Sequence, residues 1–276
     1  MNFKDCLLVS DIDGTLVEMG YINPKNIAAV EEFTSLGGTF CIATGRCVPA
    51  IEHIVCNFKE LTHAIVYNGG MIYDYIKKMP IMERCLEDSD KQFFRILLER
   101  IPYLGVEVYC GEDLYMLNWS MPCQVHFDYE HLNYKIADFD EIKDLKWNKA
   151  MCFYRADFPE DEIETLIKEF KSVNCEFTRA SVPIDGVAYC GYEQLPGGAH
   201  KGFALGKLTE LLNIPKGKTF AIGDYYNDIY MLKAADISAC PSESPEDIKE
   251  SVDFVGCACR DGAVADFIEY LKTANL

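Results

Sequence analysis

The chain has 276 residues, of which 49% are hydrophobic and 25% are charged, a composition typical of a globular protein. This length allows one large domain or two medium ones, and either can bury a substantial core. The 44 acidic residues outnumber the 26 basic ones, which gives a formal net charge of −18. This charge argues against nucleic acid or an anionic membrane surface as a partner, and nothing in the sequence points to a protein partner. A phosphorylated ligand would need local positive charge, from a metal ion or from well-placed Lys and Arg residues.

The 13 cysteines predict reduced thiols and not a disulfide framework, because their number is odd and their spacing is irregular. No Cys-x-x-Cys pair is present, and the single pair Cys257 and Cys259 gives little support for a structural zinc site. The N-terminal segment has neither the basic flank nor the apolar stretch of a signal peptide, and no apolar run approaches the ~20 residues of a membrane helix. We therefore expect a cytoplasmic protein.

The first part of the chain alternates short apolar strands with helices. Strands are predicted at residues 6–10, 39–43 and 64–67, where apolar runs end in turn-forming residues. A helix is predicted from about Asn23, which can cap it, with Pro24 in the first turn, and another covers about residues 48–58. This βαβαβ order predicts an α/β fold with a doubly wound, Rossmann-like parallel sheet.

The pattern changes after Asn68-Gly69-Gly70 and returns after Leu195-Pro196-Gly197-Gly198. A hairpin is predicted at residues 71–75 and 79–84. Helices follow at residues 88–101 and 159–171, with half-exposed strands at 106–110, 114–119, 151–155, 175–180 and 187–192, as in an α+β module. Later elements are helix 201–212, strand 219–222, a helix through Met231, strand 237–239 and a terminal helix. The simplest organisation is an α/β core, residues 1–83 and 194–276, interrupted by an inserted α+β domain, residues 84–193.

Two carboxylates, those of Asp11 and Asp13, follow the first predicted strand in the stretch Asp11-Ile12-Asp13-Gly14-Thr15. Side chains two residues apart on an extended backbone point to the same side, here at the carboxyl end of the sheet, where α/β folds bind ligands. One carboxylate could attack phosphorus while the other handles the proton of the leaving group. A strand followed by an ordinary Asp-Gly turn is the alternative.

Two further features lie where core elements meet. Thr44-Gly45-Arg46 follows a predicted strand and precedes a helix, so a hydroxyl, backbone N–H groups and a helix dipole could converge on an anion. A Thr-capped helix with a surface Arg is the alternative. Lys201 stands where the core pattern resumes; a lone Lys is usually a solvated surface charge, so its assignment depends on position alone. The neighbouring His200 is left unassigned.

An acidic motif, Gly223-Asp224-Tyr225-Tyr226-Asn227-Asp228, follows the predicted strand 219–222. Once a helix begins, Asp224, Asn227 and Asp228 stand at i, i+3 and i+4 and are expected to share one face. Oxygen-rich clusters of this kind suit Mg²⁺ and not Zn²⁺. A helix cap with acidic residues in the first turn is the alternative.

Together, these motifs resemble those of the haloacid dehalogenase-like superfamily, and within it the Cof-type, sugar-phosphatase-like hydrolases. The resemblance covers nearly the whole chain and consists of Asp-Ile-Asp-Gly-Thr-Leu, Thr-Gly-Arg, Asn-Gly-Gly, Lys-Gly and Gly-Asp-x-x-Asn-Asp in that order. It implies a Mg²⁺-dependent phosphatase that acts on small phosphorylated metabolites, with sugar phosphates favoured. It also implies that the inserted domain is a cap that closes over the site.

The resemblance implies roles for individual residues as well. Asp11 would attack phosphorus in line to form an aspartyl-phosphate, and Asp13 would protonate the departing oxygen and later activate water. Magnesium would be held by the carboxylate of Asp11, the main-chain carbonyl of Asp13 and Asp224, with Asp228 supporting the site. Contacts to the substrate or its phosphate are expected from Thr44, Gly45, Arg46, Lys201 and Asn227.

Two other functions are compatible with the same residues. A phosphomutase would use the same aspartyl-phosphate but needs a bisphosphorylated sugar intermediate, and the Thr-Gly-Arg motif looks more like the hydrolase branch. A non-catalytic metabolite-binding protein could keep this fold, but the intact motif carboxylates and Lys201 weigh against it.

Overall fold

The computed structural model describes residues 2–102, 104–155, 163, 165–166, 168–169, 175–184 and 187–274. The chain forms two compact units, one comprising Met1–Arg46, Ile51–Met82 and His200–Leu276, and the other Cys47–Ala50 and Glu83–Ala199. Each unit has its own sheet and its own apolar core. The predicted α/β fold class, with a separate α+β part, is confirmed.

The strands in chain order are β1 (Leu7–Asp11), β2 (Val17–Glu18), β3 (Tyr21–Ile22), β4 (Thr39–Ala43), β5 (His63–Val66), β6 (Met71–Asp74), β7 (Met79–Glu83), β8 (Gly105–Cys110), β9 (Asp113–Leu117), β10 (Lys135–Ile136), β11 (Lys149–Arg155), β12 (Cys175–Ile184), β13 (Val187–Pro196), β14 (Thr219–Ile222), β15 (Ile237–Cys240) and β16 (Phe254–Val255). The helices are α1 (Pro24–Ser35), α2 (Val48–Val55), α3 (Asp88–Arg100), α4 (Met121–Tyr129), α5 (Phe139–Ile142), α6 (Lys201–Leu212), α7 (Ile229–Ala234), α8 (Glu246–Lys249) and α9 (Ala263–Thr273). Most of the predicted helix 159–171 lies outside the described residues.

An eight-stranded sheet in the order β16-β15-β14-β1-β4-β5-β6-β7 forms the centre of the first unit. The strands from β16 to β5 run parallel, and β6 pairs with β5 in the antiparallel direction. β1 lies between β14 and β4 and is buried along its whole length, as expected of a parallel strand that is covered on both faces. The carboxyl ends of β14, β1 and β4 therefore meet at one edge of the sheet.

Local sequence signals explain why α1 begins where it does. The side-chain oxygen of Asn23 accepts a hydrogen bond from the backbone N–H of Lys25 at 2.9 Å, and Pro24 occupies the first helical position. Val30 and Phe33 lie on the buried face of the helix. Asn23 and Pro24 thus act as the sequence predicts.

The second unit contains a six-stranded sheet in the order β10-β9-β8-β11-β13-β12. The ladders from β9 through β8, β11 and β13 to β12 are antiparallel. Phe94 on α3 packs with Trp147 in the core of this unit. The Trp147 side chain is fully buried, and its Nε1 donates to the carbonyl of Ile142 at 2.9 Å. One aromatic ring therefore joins α3 to the end of α5 within this core.

Every cysteine whose side chain the structure describes is a free thiol, as the composition predicts. Burial raises the pKa of Cys41 and of Cys152 to about 12, so these thiols stay protonated at physiological pH. Among the ranges given above, no helix has the length and apolar character needed to cross a membrane.

We predict that Trp147→Ala destabilises the second unit by about 3–5 kcal/mol, because it leaves a large cavity in a closed core. Trp119→Ala is the matched control, since that ring is 54% exposed and surface substitutions usually change stability by less than about 0.5 kcal/mol. The chain has two tryptophans, and both lie in the second unit. The remaining indole in each variant therefore reports urea unfolding of that unit by fluorescence, and equal losses in both variants would contradict the packing described.

Candidate active site

Residues from distant parts of the chain meet at the carboxyl edge of the first unit's sheet. Asp11 is the last residue of β1, Thr44 directly follows β4, and Asp224 lies two residues beyond the end of β14. These three strands are adjacent and parallel, so their carboxyl ends carry functional side chains to one place.

Lys201 is fully buried, and its ammonium group bridges two carboxylates. Its Nζ donates to Oδ1 of Asp11 at 2.5 Å and to Oδ1 of Asp228 at 2.7 Å. Lys201 is the first residue of α6, and the preceding His200 caps this helix by accepting at Nδ1 from the N–H of Phe203 at 3.0 Å. Because an unpaired buried charge is very costly, the two carboxylates account for the buried position of Lys201.

Burial and an excess of negative charge together shift the pKa values of the groups in this site. Burial by itself would lower the pKa of Lys201, but Asp11 and Asp228 outweigh it and the pKa is raised. Burial raises the pKa of Asp11 well above its usual range, with Asp228 adding to the effect and Lys201 opposing it. The pKa of Asp224 is also raised, first by burial and then by Asp228. Three carboxylates around one ammonium group leave the site short of positive charge.

Asp11, Asp224 and Asp228 form a cluster that could hold a metal ion. One carboxylate oxygen from each lies within 4.8 Å of the others, and hard oxygen donors in this arrangement suit Mg²⁺. Thr15 steadies the cluster, because its Oγ1 donates to Oδ1 of Asp224 at 3.2 Å. Gly14 has a φ of +83°, and a Cβ at this position would collide with the carboxylate of Asp224. The Gly-Thr pair of the first motif therefore shapes the place where a cation would bind.

The carboxylate of Asp13 lies in a different environment from that of Asp11. Because β1 ends at Asp11, the alternation of an extended strand does not continue to Asp13. The side chain of Asp13 is 54% exposed and makes a bidentate ion pair with Arg46, whose Nε and Nη2 both donate at 2.8 Å. The third carboxylate of the cluster with Asp11 and Asp224 is therefore that of Asp228. The carboxylate of Asp13 lies outside this cluster and contacts Arg46.

The loop that carries Asp224 is closed by Asp228. The buried carboxylate of Asp228 accepts at Oδ2 from the backbone N–H groups of Asp224 at 3.1 Å and Tyr225 at 3.3 Å. Asn227 is exposed and donates from Nδ2 to Oδ1 of Asn68 at 3.3 Å. The expected shared helical face of Asp224, Asn227 and Asp228 is therefore wrong, because a bend and a short 3₁₀ turn at Tyr226–Asp228 precede α7.

The Thr44–Arg46 segment is shaped by backbone hydrogen bonds. Thr44 is 1% exposed, its N–H donates to the carbonyl of Ile65 at 2.9 Å, and its carbonyl accepts from the N–H of Asn68 at 2.9 Å. The Oγ1 of Thr44 accepts from the N–H of Arg46 at 3.1 Å. The sequence does not predict Asn68 as a site residue, because the Asn-Gly-Gly pattern is typical of an ordinary turn. The side-chain partner of Asn68, Asn227, is also remote in sequence.

The chain is similar to known proteins over nearly its whole length. The family model described as haloacid dehalogenase-like hydrolase matches residues 8–268. A putative phosphatase of Haemophilus influenzae is 22% identical over 261 residues, which cover 94% of this chain and 95% of that protein. A 5-amino-6-(5-phospho-D-ribitylamino)uracil phosphatase of Bacillus subtilis is 25% identical over 275 residues, which cover 96% of this chain and 94% of that protein. The solved structure of a HAD subclass IIB sugar phosphatase shares the fold, with a TM-score of 0.80 and 20% identity over 97% of this chain and 99% of that chain.

We predict that Asp224→Asn stabilises the metal-free protein at neutral pH. The folded-state pKa of Asp224 is raised above its ordinary value of 3.8, so the ionised carboxylate destabilises the fold. This penalty is absent below the unfolded-state pKa and is fully present above the folded-state pKa. In EDTA at about pH 8, Tm should exceed that of the wild type by roughly 2–4 °C for each kcal/mol regained. The gain should shrink as the pH falls through the folded-state pKa.

Asp128→Asn is the control, because it neutralises an exposed carboxylate in the second unit. Its Tm should match that of the wild type across the same pH range. A Tm for Asp224→Asn at or below the wild-type value in EDTA would show that burial and the neighbouring Asp228 do not destabilise the ionised Asp224 carboxylate.

Proposed function

Because the chain belongs to the haloacid dehalogenase-like hydrolase family, we propose that it hydrolyses phosphate monoesters of small metabolites with Mg²⁺ as its cofactor. By this family membership and by its relatives, it is a phosphatase. The observation that carries the proposal is the buried cluster in which Lys201 pairs with Asp11 and Asp228, while Asp224 completes a set of three oxygen donors. With a divalent cation bound to the carboxylates, Lys201 and that cation can neutralise a phosphoryl group that the carboxylates alone would repel.

Asp11 is the nucleophile in this proposal. Lys201 holds its Oδ1 and thereby fixes the direction of the carboxylate at the end of β1. Attack on phosphorus forms an acyl phosphate on Asp11 and breaks the bond to the leaving oxygen. Water then attacks the same phosphorus, which releases inorganic phosphate and restores the carboxylate.

The residues present fit a magnesium ion, since the cluster offers only hard oxygen donors. Asp11 and Asp224 would hold it with the main-chain carbonyl of Asp13, and Asp228 would support the site. When bound, it supplies the positive charge that keeps the carboxylates ionised and offsets the charge of the phosphoryl oxygens. Lys201 and the hydroxyl of Thr44 would orient those oxygens.

Asp13 is proposed as the general acid and base. Its side chain is accessible to solvent, whereas Asp11 is 5% exposed, and a group that exchanges protons with a leaving group and with water needs such access. The bidentate contact with Arg46 fixes the direction of the Asp13 carboxylate. We therefore propose that Arg46 supports Asp13 in addition to any contact with substrate.

The substrate class is proposed as small phosphorylated metabolites, with sugar phosphates favoured. In support, one relative is named for a phospho-D-ribitylamino compound, and a solved structure that shares the fold is named as a sugar phosphatase. We also propose that residues 84–193 serve as a cap, a role in which a domain excludes bulk water from the reaction. The cytoplasmic location stays a prediction.

The direct test is phosphate release from a panel of phosphorylated metabolites, with Mg²⁺ and with EDTA. We expect turnover with Mg²⁺, no turnover in EDTA, and a loss in kcat/KM of at least about 10³-fold for Asp11→Asn, because the amide is not a nucleophile. Asp128→Asn should keep the wild-type rate. Phosphoryl transfer between sugar phosphates without phosphate release would indicate a mutase, and no turnover of any compound would indicate a binding protein.

The role of Asp13 is tested by the leaving group. For Asp13→Asn, hydrolysis of an alkyl phosphate should fall by about 10²–10⁴-fold, the usual contribution of a general acid. The leaving group of p-nitrophenyl phosphate needs no proton, so Asp13→Asn should slow only the hydrolysis of the acyl phosphate, the step in which Asp13 acts as base. A burst of one equivalent of p-nitrophenolate should therefore precede slow turnover. Stopped-flow absorbance measures the burst. Equal losses in the first step for both substrates would rule out acid catalysis by Asp13.

A further inference from the structure

The turn after β5 has an unusual backbone. Tyr67, Asn68 and Gly69 have φ angles of 54°, 51° and 94°, so three consecutive residues occupy the left-handed region. Asn and Gly tolerate this region, but a bulky aromatic residue rarely adopts it. The ring of Tyr67 is fully buried, which anchors the turn. Strain of this kind persists where the surrounding structure imposes it, and it is concentrated at functional sites.

On one side, this turn is bonded to the segment that follows β4. The N–H of Asn68 donates to the carbonyl of Thr44 at 2.9 Å, and the N–H of Tyr67 donates to the carbonyl of Arg46 at 3.1 Å. A Cβ on Gly45 would lie 3.0 Å from Nδ2 and 3.1 Å from Oδ1 of Asn68. The carboxamide of Asn68 therefore packs against the backbone of Gly45, which explains why a residue without a side chain stands there.

On the other side, the same carboxamide contacts the acidic loop. Oδ1 of Asn68 accepts from Nδ2 of Asn227 at 3.3 Å. Asn227 directly precedes Asp228, which pairs with Lys201 and closes the loop of Asp224. One side chain thus joins the Thr44–Arg46 segment to the residues that carry the carboxylate cluster.

The start of α6 contacts this turn too. A Cβ on Gly69 would collide with the carbonyl of His200, and the backbone nitrogen of Lys201 would be 2.9 Å away from it. Gly69 therefore lets the turn approach the residue that carries the buried ammonium group. The turn therefore lies against three segments that bear proposed phosphate or metal contacts: Thr44–Arg46, the loop of residues 224–228 and the start of α6.

We propose that Asn68 is a positioning residue for phosphoryl transfer. Its side chain sets the Thr44–Arg46 segment against the loop of residues 224–228. The inference rests on the proposed phosphatase function. In that reaction Thr44 and Lys201 must hold the phosphoryl oxygens while phosphorus stays in line with Asp11. Because a misplacement of about 1 Å can cost about 10²-fold in rate, a side chain that fixes the two loops relative to each other acts mainly on kcat.

Asn68→Gly is the decisive variant, since glycine tolerates the left-handed backbone and the carboxamide is removed without straining the turn. We expect kcat on a phosphate ester that the wild type hydrolyses to fall about 10- to 100-fold, with a much smaller change in KM. In the Asn227→Ala background, Asn68→Gly should lower kcat less than it does in the wild type, because the two side chains act together. Steady-state kinetics on the four proteins of this cycle measure the coupling.

Asn213 supplies the matched control. It has the same left-handed backbone, with a φ of 53°, at the C-terminal end of α6, about 18 Å along the helix from Lys201 at the usual rise of about 1.5 Å per residue. Asn68→Ala and Asn213→Ala should both lower Tm, since alanine is strained at positive φ. Only the Asn68 variants should lower kcat. A lower Tm with unchanged kcat for Asn68→Ala would show a merely structural role and overturn the proposal.

Binding of orthovanadate, which mimics the transferring phosphoryl group, gives a second readout that needs no turnover. With Mg²⁺ present, calorimetry should show the affinity of Asn68→Gly to fall by about the same factor as kcat, while Asn213→Gly binds like the wild type. If the wild type hydrolyses nothing on the panel, the proposed function fails, and the vanadate affinities still show whether Asn68 positions the residues that contact a phosphoryl group. If the wild type is active and Asn68→Gly equals Asn213→Gly in kcat and in vanadate affinity, this inference alone is overturned.

Discussion

The buried ammonium group of Lys201 is the interaction on which the rest of the site depends. It is fully enclosed and paired with Asp11 at the end of β1 and with Asp228 beyond β14. A charge in such a place is tolerated only with partners of opposite sign, so one side chain joins the start of α6 to the end of β1 and to the turn that follows β14. The single ammonium group of Lys201 does not balance the three carboxylates of Asp11, Asp224 and Asp228. A divalent cation bound to these carboxylates would supply the missing positive charge.

The family, the α/β fold class and the phosphatase class could be predicted from the sequence and are confirmed. Short motifs are enough to identify the family, because phosphoryl transfer requires particular side chains at the ends of the strands. Elements with strong patterns were predicted well: α6 and β14 have the predicted bounds. The strands β2 and β3, of two residues each, were missed, because segments so short show no periodicity. The individual roles assigned to the site residues stay predictions.

Side-chain directions within the motifs were harder to predict, because they depend on where regular backbone stops. Asp11 and Asp13 differ in burial and partner because β1 ends between them. Asp224 and Asn227 do not share a helical face because the helix has not yet begun at Asp224. The role of His200 as a helix cap and the contact of Asn68 with Asn227 were equally invisible. In the two acidic motifs, the spacing rule fails because the motif extends beyond the regular element to which the rule belongs.

The repulsion among Asp11, Asp224 and Asp228 has a consequence for the protein in a cell. A ligand that binds only the folded chain stabilises it in proportion to the logarithm of its free concentration. A chain whose carboxylates need a cation is thus less stable when that cation is scarce, and it spends more time in forms that proteases recognise. With the proposed Mg²⁺ as that cation, the steady-state abundance of this protein would follow the supply of free magnesium, and metal limitation would reduce the number of folded molecules as well as the activity of each.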